Sequence, residues 1–332
     1  MKNRLSLGFF PTPLHKLERL SGIYKPYEIY IKRDDQTGLA SGGNKTRKLE
    51  YLLAEAIDFG YNAIVTTGAQ QSNHCRQTAA ACAVAGLECH LVLRGDEPGA
   101  PNGNLLLSRL LGAHIYFAGN TPPDEVMTEV SKKIRLDGRD PYIIPVGGSN
   151  KTGMRGYVDA IGELKLQQKA FGVNFDYVFF ATSSGGTQAG MLLGKWKYGL
   201  NTKLMPVCVE KDDKTGPSLE EKVLSMCYEG CIREGLEKLY NPQDVGLIKE
   251  YGEAGYGVMT EGEKMAINEL AKTEGILLDP VYTARAFFAM TDMMRQNLLE
   301  PKSKILFWHT GGLPAIFHYA EQLGKPRIDR FF

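Results

Sequence analysis

At 332 residues, 43% of them hydrophobic, the chain is long enough for two domains with sizeable cores. Its 39 lysines and arginines nearly balance 38 acids, and no basic run extends beyond Lys45-Thr-Arg-Lys48, so nucleic acid and acidic membrane surfaces are poor partners. Pro11 interrupts the apolar stretch 5–10 before it reaches signal-peptide length, no run is long enough to span a bilayer, and the six cysteines show no Cys-x-x-Cys pair, so a reducing cytoplasm is expected.

In chain order, Pro11-Thr-Pro13 introduces a short helix through Leu14, Leu17 and Leu20, and residues 28–32 read as a strand. After the glycine loop Ser41-Gly42-Gly43, Asn44 is a good N-cap. Leu49, Leu52, Leu53, Ala56 and Ile57 then recur at helical spacing, which predicts a helix over 45–59 with Gly60 at its end. Strand 63–67, helix 73–85, strand 88–93, helix 105–111, strand 114–117, helix 124–136 and strand 142–145 alternate. A second glycine loop, Val146-Gly147-Gly148-Ser149-Asn150, leads to another helix. Strand 177–181, a helix from Thr187 and strand 204–209 resume the pattern, and the polar stretch from Lys214 to Ile248 reads as helix with loops. Helices 261–273 and 283–295, strand 305–309 and a helix after Gly312 complete the chain. The βα alternation predicts an α/β fold with parallel strands.

Lys45 opens its helix directly after the glycine loop. Its charge opposes the positive end of the helix dipole, and the glycines let backbone approach a ligand closely. Both effects favour a neutral amine, the form that makes a Schiff base with an aldehyde. An isolated lysine would as readily solvate a helix end. A nucleotide P-loop fails on spacing, because Asn44 stands between Gly43 and Lys45 where Gly-Lys-Ser/Thr must run unbroken.

Ligands of open α/β sheets bind beyond the carboxyl ends of strands. Four loops leaving predicted strands are rich in glycine or small polar residues: the one from Thr67 to Ser72-Asn73-His74, Val146-Gly147-Gly148-Ser149, Ser183-Ser184-Gly185-Gly186-Thr187-Gln188, and His309-Thr310-Gly311-Gly312. The third follows a hydrophobic strand and opens a helix, offering hydroxyls and backbone N–H groups to a phosphate. One such turn is common in this fold class, but several together with the Lys45 loop point to a phosphate-bearing cofactor. No Gly-x-Gly-x-x-Gly follows the first strand, the six histidines show no metal-ligand spacing, and no Gly-x-Ser-x-Gly elbow exists. No metal is expected. A lysine, a phosphate cradle and small hydroxyls suit pyridoxal phosphate.

Ile31-Lys-Arg-Asp-Asp, Gly42-Gly-Asn-Lys45-Thr-Arg-Lys-Leu-Glu50, Gln71-Ser-Asn-His74 with Arg76-Gln-Thr78, Asp279-Pro-Val-Tyr-Thr283 and His309-Thr-Gly-Gly312 resemble the D-cysteine desulfhydrase and 1-aminocyclopropane-1-carboxylate deaminase family over nearly the whole chain. The resemblance implies a tryptophan-synthase-β-like fold (fold type II) with two open twisted, mainly parallel sheets. It also implies a small domain, 48–155, inserted into a large cofactor-binding domain, 1–47 and 156–332, and a homodimer. By the same resemblance Lys45 carries the covalent link to pyridoxal 5'-phosphate, Asn73 bonds the cofactor's phenolic oxygen, and Ser183, Ser184, Gly185, Gly186 and Thr187 hold its phosphate. Thr310 or Thr283 meets the pyridine nitrogen. Ser72, Asn73, His74, Tyr256, Tyr282 and Thr283 form the substrate side, with Lys45, Ser72 and Tyr282 as catalytic candidates. Tyr282 alone could be a core aromatic, and His74 a helix cap.

Where the desulfhydrase branch usually reads Tyr-Thr-Gly-Lys, this chain has Tyr282-Thr283-Ala284-Arg285, and Trp308 replaces a smaller aliphatic residue. The planar fork of Arg285 allows a preference for a different acidic side chain, so cysteate sulfo-lyase activity is an alternative. The deaminase branch has glutamate and leucine where this chain has Thr283 and Thr310. The expectation is a lyase that converts D-cysteine to pyruvate, hydrogen sulfide and ammonia. Cyclopropane deamination is a further alternative, and a non-catalytic amino-acid-binding homologue is the alternative of another class.

Overall fold

The computed structural model describes residues 4–211, 216–238 and 240–324. Strand β1 (Leu14–Lys16), helix α1 (Glu18–Ile23) and strand β2 (Glu28–Arg33) come first. The helix expected from Pro13 through Leu20 is therefore a strand and a shorter helix. Leu14 pairs antiparallel with Lys32, and this cross-strand partnership overrides the local helical spacing.

Helix α2 (Lys45–Asp58) leads into β3 (Ala63–Gly68), α3 (Asn73–Ala85), β4 (Glu88–Leu93), α4 (Gly103–Leu110), β5 (His114–Phe117), α5 (Pro123–Leu136) and β6 (Pro141–Ile143). Next come α6 (Arg155–Phe171), β7 (Tyr177–Thr182), α7 (Gly186–Tyr198) and β8 (Lys203–Cys208). The polar stretch expected from Lys214 begins outside the described residues. From Leu219 it forms α8 (Leu219–Glu234), opened by a Ser218–Glu221 capping box, and the short α9 (Pro242–Val245). Helices α10 (Glu261–Glu274) and α11 (Thr283–Arg295) precede β9 (Lys304–His309). After Gly312 the chain makes a 3-10 turn, Leu313–Tyr319, where an α-helix was expected; Pro314, near its start, has no N–H to donate.

The strands form two sheets, one of five strands in the order β1-β2-β9-β7-β8 and one of four in the order β5-β4-β3-β6. Every pair is parallel except β1 with β2. The four-stranded sheet is built wholly from chain lying between β2 and β7 of the larger one.

Both sheets are covered on both faces, so their strands alternate between two cores rather than between core and water. In the larger sheet Phe179, Ile305 and Phe307 pack with Leu270, Phe287 and Met290 of α10 and α11. Val178, Phe180, Leu306 and Trp308 pack with α6, α7 and α8. In the smaller sheet Ile64 and Leu91 face Leu49, Leu52, Leu53 and Ala79 of α2 and α3, while Val65 and Val92 face Met127, Val130 and Ile134 of α5. Helix α2 thus buries its apolar stripe against the smaller sheet and begins, at Lys45, beside the ends of both.

Candidate active site

The loops leaving β3, β6, β7, β8 and β9 open onto one cavity of about 920 Å³. It brings together Lys45, Ser72, Asn73 and His74 from α2 and the start of α3. Ser183, Ser184, Gly185 and Thr187 come from the β7–α7 turn, and Tyr256, Tyr282 and Thr310 from later chain. Two of the residues singled out do not line it. Gly186 has its N–H bonded to Ser149 Oγ at 3.2 Å, and Thr283 is turned away.

Protein encloses the Lys45 amine, and the loss of hydration lowers its pKa to about 8, a hydrogen bond with Lys48 opposing the shift. Burial, rather than the helix dipole invoked above, is the main cause. Lys48 lies one turn along the same helix and is fully buried. Burial first, and then the charge of Lys45, hold its pKa well below the ordinary lysine value. It donates to Gly147 O at 3.1 Å and to Ser149 Oγ at 3.3 Å. Among the described residues no carboxylate pairs with either amine.

Asn44 does not cap α2. Its backbone is already helical, its N–H donates to Thr310 O at 2.9 Å, and its side chain reaches Thr187 Oγ1 at 3.3 Å. The orphan N–H of Thr46 is met instead by Gln77 Oε1 of α3 at 2.9 Å. Asn44 therefore ties the lysine helix to the start of α7.

The two glycine loops that looked independent in sequence meet here. Ser149 Oγ bonds both Ser184 Oγ, at 2.8 Å, and the Gly186 N–H that opens α7. A side chain on Gly147, whose φ is +68°, would collide with Ser184 Oγ at 2.3 Å and lie 3.5 Å from Lys45 Nζ. One on Gly186 would strike Ser149 between 2.6 and 2.9 Å. A helix N-terminus, the hydroxyls of Ser149, Ser184 and Thr187 and the Lys45 amine form a donor-rich pocket that fits a phosphate and a carbonyl within reach of an amine. The residues present therefore fit pyridoxal phosphate.

The residues expected on the substrate side are held by specific contacts of their own. Ser72 caps α3 by accepting from Cys75 N at 3.2 Å, which leaves its proton to donate. Asn73 accepts from Asn104 Nδ2 at 2.9 Å, so its own amide donors remain for a ligand. Thr66 gives its proton to Ile144 O at 2.8 Å, so at the 2.9 Å contact between Thr66 Oγ1 and His74 Nε2 the imidazole is the donor. Burial and then the nearby lysine charges hold His74 well below its usual pKa. The ring is neutral and its Nδ1 is an unpartnered acceptor. Tyr256 and Tyr282 share one hydroxyl–hydroxyl bond of 2.8 Å. Burial raises the pKa of Tyr256 to about 12 and that of Tyr282 well above the ordinary tyrosine value, so both stay protonated and the pair holds one proton it is not using internally.

Two expectations change. Thr283 Oγ1 donates to Asp279 Oδ1 at 2.7 Å and accepts from Asp279 N at 2.8 Å, so its hydroxyl serves the turn that aims Tyr282 rather than a ligand. Of the two threonines only Thr310 reaches the cavity. Arg285 has no free fork: its Nε meets Glu263 Oε1 at 2.5 Å, and its terminal nitrogens bond Val209 O, Gly255 O and Val258 O, all out of solvent. Trp308, the other departure, is buried with its indole N–H on Asp34 Oδ2 at 2.8 Å.

Sequence reasoning missed Lys48, Ser149 as a bridge between loops, and Glu210, which lines the cavity and accepts from Ser183. The i,i+3 spacing of Lys48 from Lys45 could have flagged the first. The others depend on strand order, which the sequence does not display.

The family described as pyridoxal-phosphate dependent enzyme matches residues 5–311. A D-cysteine desulfhydrase from Yersinia enterocolitica is 42% identical over 327 residues, covering 96% of this chain and 97% of its own. A mitochondrial bifunctional D-cysteine desulfhydrase/1-aminocyclopropane-1-carboxylate deaminase from Arabidopsis thaliana is 35% identical over 336 residues, covering 96% of this chain and 80% of its own. The crystal structure of an ACC deaminase homologue matches with a TM-score of 0.88 at 36% identity, over 97% of this chain and 95% of that one. The chain belongs to the family of pyridoxal-phosphate-dependent enzymes, with the fold type II architecture.

Proposed function

We propose that this enzyme eliminates hydrogen sulfide from D-cysteine, consuming one water and yielding pyruvate and ammonia. The observation that carries the reading is the Lys45 amine, without a carboxylate partner among the described residues, in one cavity with the Tyr256–Tyr282 hydroxyl pair. Similarity to D-cysteine desulfhydrases over nearly the full chain supports it.

When bound, pyridoxal phosphate supplies the carbonyl that captures an amino group and the electron sink that stabilises negative charge at the substrate's Cα. The residues supply the rest. Lys45 would hold the cofactor covalently at rest, and its amine, when free, is the base placed to take the substrate's Cα proton on Nζ. Ser72 donates to the substrate carboxylate, Asn73 would donate to the cofactor's phenolic oxygen, His74 Nδ1 accepts from a ligand donor, and Tyr282 gives the pair's spare proton to the departing sulfur. Ser183, Ser184, Gly185 and Thr187, which line the cavity, would hold the phosphate with Ser149, while Gly186, its N–H taken by Ser149, and Lys48, bonded to Gly147 O and Ser149 Oγ, would brace the two loops from behind. Thr310, which lines the cavity, rather than Thr283, whose hydroxyl is bonded to Asp279, would meet the pyridine nitrogen.

The division into an inserted 48–155 domain and a 1–47 plus 156–332 domain belongs to the same reading, supported by the four-stranded sheet lying between β2 and β7 in sequence. So do a homodimer and a cytoplasmic setting, the latter supported by six buried free cysteines. No helix among the described residues is long and apolar enough to cross a membrane. Cysteate as substrate loses the support Arg285 lent it, since that guanidinium is consumed by Glu263 and three carbonyls.

The test is the visible spectrum of the purified protein and parallel assays on D-cysteine, L-cysteine, cysteate and the cyclopropane amino acid. Sulfide release from D-cysteine is expected to be far faster than turnover of the other three. Ring opening at an equal or greater rate would overturn the reading in favour of a deaminase, and a spectral response to amino acids without product would make the protein a binding homologue.

A further inference from the structure

Away from the cavity, the four-stranded sheet gathers three side chains that the reaction does not use. Strands β4 and β5 run parallel with His90 opposite His114, and alternation along each strand carries Glu88 and Tyr116 to the same face. The two imidazoles stack with centroids 4.7 Å apart and 15° between their planes. His90 Nε2 lies 3.2 Å from Glu88 Oε2, and His90 Nδ1 lies 3.2 Å from the Tyr116 hydroxyl. One ligand atom from each of Glu88, His90 and His114 falls within 4.8 Å of the other two. Along the chain the histidines show no metal-ligand spacing; strand pairing is what sets His114 beside His90.

We propose that Glu88, His90 and His114 form a binding site for a borderline divalent transition ion, zinc in the first instance. Two imidazole nitrogens and one carboxylate suit zinc, with bonds of about 2.0 to 2.2 Å, whereas calcium and magnesium ask for oxygen ligands alone. Closing onto an ion requires the three atoms to draw together and the His114 ring to turn out of its stack on His90, because imidazoles in near-parallel planes cannot both aim a lone pair at one ion. The side chains are graded for this movement: His90 is buried and fixed, while His114 is exposed and Glu88 half-exposed. Tyr116 holds the second nitrogen of His90 and so orients Nε2 toward the site, as partners of ligating histidines do. Three protein ligands leave a fourth position for water.

Arg139 is a built-in competitor. Its guanidinium pairs with Glu88 and also lies 3.3 Å from Asp137, so an incoming ion displaces it from one carboxylate toward another. Strand β5 is an edge strand bonded only to β4, and an ion held between His90 and His114 would tie that edge down.

The experiment is isothermal titration of the untagged holoprotein with zinc chloride, wild type beside His114→Ala, Glu88→Gln, Tyr116→Phe and Arg139→Ala. One saturable zinc per chain at micromolar affinity or tighter is expected. Affinity should fall on the order of 100-fold in His114→Ala and Glu88→Gln and about 10-fold in Tyr116→Phe, and rise in Arg139→Ala, where the competing cation is gone. Unchanged cofactor absorbance and far-ultraviolet circular dichroism would establish that each variant is folded. No micromolar site in the wild type, or equal affinity in wild type and folded His114→Ala, overturns the proposal.

Discussion

The first turn of α2 carries three cations that leave the helix in two directions and meet opposite treatment. Arg47 is buried among anions: its guanidinium bonds Asp34 through Nε and a terminal nitrogen, both at 2.9 Å, and Glu163 twice at 3.0 Å. Thr12, Tyr157 and Trp308 satisfy the remaining lone pairs of Asp34. Burial alone would raise the Asp34 pKa, yet Arg47, Lys32 and Trp308 overcome it and hold the carboxyl at about 2. Lys48 is as deeply buried and Lys45 lines the cavity, and among the described residues neither amine pairs with a carboxylate, so their pKa values fall. A buried cation given carboxylates becomes a fixed charge that anchors a helix, and a buried cation denied them becomes a reagent waiting for a carbonyl or a phosphate.

The largest effect that can break this comparison is Lys45→Ala, which should abolish both turnover and the covalent attachment of cofactor. Borohydride reduction and peptide mapping of the wild type should find the pyridoxyl label on Lys45. A label on Lys48 would mean that the two amines have been assigned the wrong way round. The pH dependence sharpens the point. With its pKa lowered to about 8, the Lys45 amine is mostly protonated below pH 8 and neutral above it, whereas a lysine at its usual 10.5 would stay charged up to that value. The rate at which cofactor-free protein re-forms the link should therefore rise through about pH 8 and level off before pH 10. A rate still climbing at pH 10 would show that burial does not set this amine's proton affinity.

Next in size is the anchor. Arg47→Met leaves Asp34 and Glu163 buried without their main counter-charge and should cost about 3 to 5 kcal/mol of stability, read from denaturant unfolding. Lys48→Met removes a buried amine that has no carboxylate partner among the described residues and whose pKa burial holds well below the ordinary lysine value. It should leave the stability of the cofactor-free protein unchanged or raised while weakening cofactor binding. Equal destabilisation by both variants would erase the distinction between anchor and reagent.

That distinction was only half legible in the sequence. The glycine loop and the helix start marked Lys45, and the boundaries of α3, β4, β5 and α11 follow from periodicity and small-residue punctuation. Arg47 and Lys48, however, sit with Lys45 in one short basic run, and nothing local distinguishes the three. Their burial depends on Asp34, Glu163 and Gly147, which come from distant parts of the chain. Arg285 misled for the same reason: its partner Glu263 lies a helix away, and nothing local marks the guanidinium as consumed. Loop convergence was hidden too, because Ser149 meets Gly186 only once β6 and β7 have been assigned to different sheets. Strand β1 was read as helix because its strand character comes from pairing with β2.

Smaller effects test the donor side of the phosphate pocket. Thr187→Ala removes a hydroxyl held 3.3 Å from Asn44 Nδ2, and if that hydroxyl bonds the phosphate, cofactor affinity should drop by about 1.5 to 3 kcal/mol. Gly186→Val should be worse, since its side chain would strike Ser149 and part the two loops. Equilibrium dialysis of pyridoxal phosphate against both variants decides it, and unchanged dissociation constants would move the phosphate to residues 147–149.

The smallest expected effect separates two threonines that looked interchangeable. Thr310 lines the cavity at the end of β9, with its backbone carbonyl fixed by Asn44 N, so its side chain is the one available to the cofactor ring. Thr283 has spent its hydroxyl on Asp279, whose carboxylate also receives the N–H groups of Val281, Tyr282 and Thr283. A hydroxyl is a weaker partner for a pyridine nitrogen than a carboxylate, which suits prompt expulsion of a leaving group better than a long-lived carbanion. Thr310→Val keeps shape and removes one hydrogen bond. It should change the ratio of D-cysteine to cyclopropane turnover by an amount equivalent to about 0.5 to 1.5 kcal/mol, with stability intact. Thr283→Val should do the reverse, costing stability because a buried carboxylate loses a donor while the substrate ratio stays fixed. Steady-state assays and unfolding curves on both variants give the four numbers needed. A ratio that moves with Thr283 and not with Thr310 would return the ring contact to the residue that the Asp279–Thr283 motif first suggested.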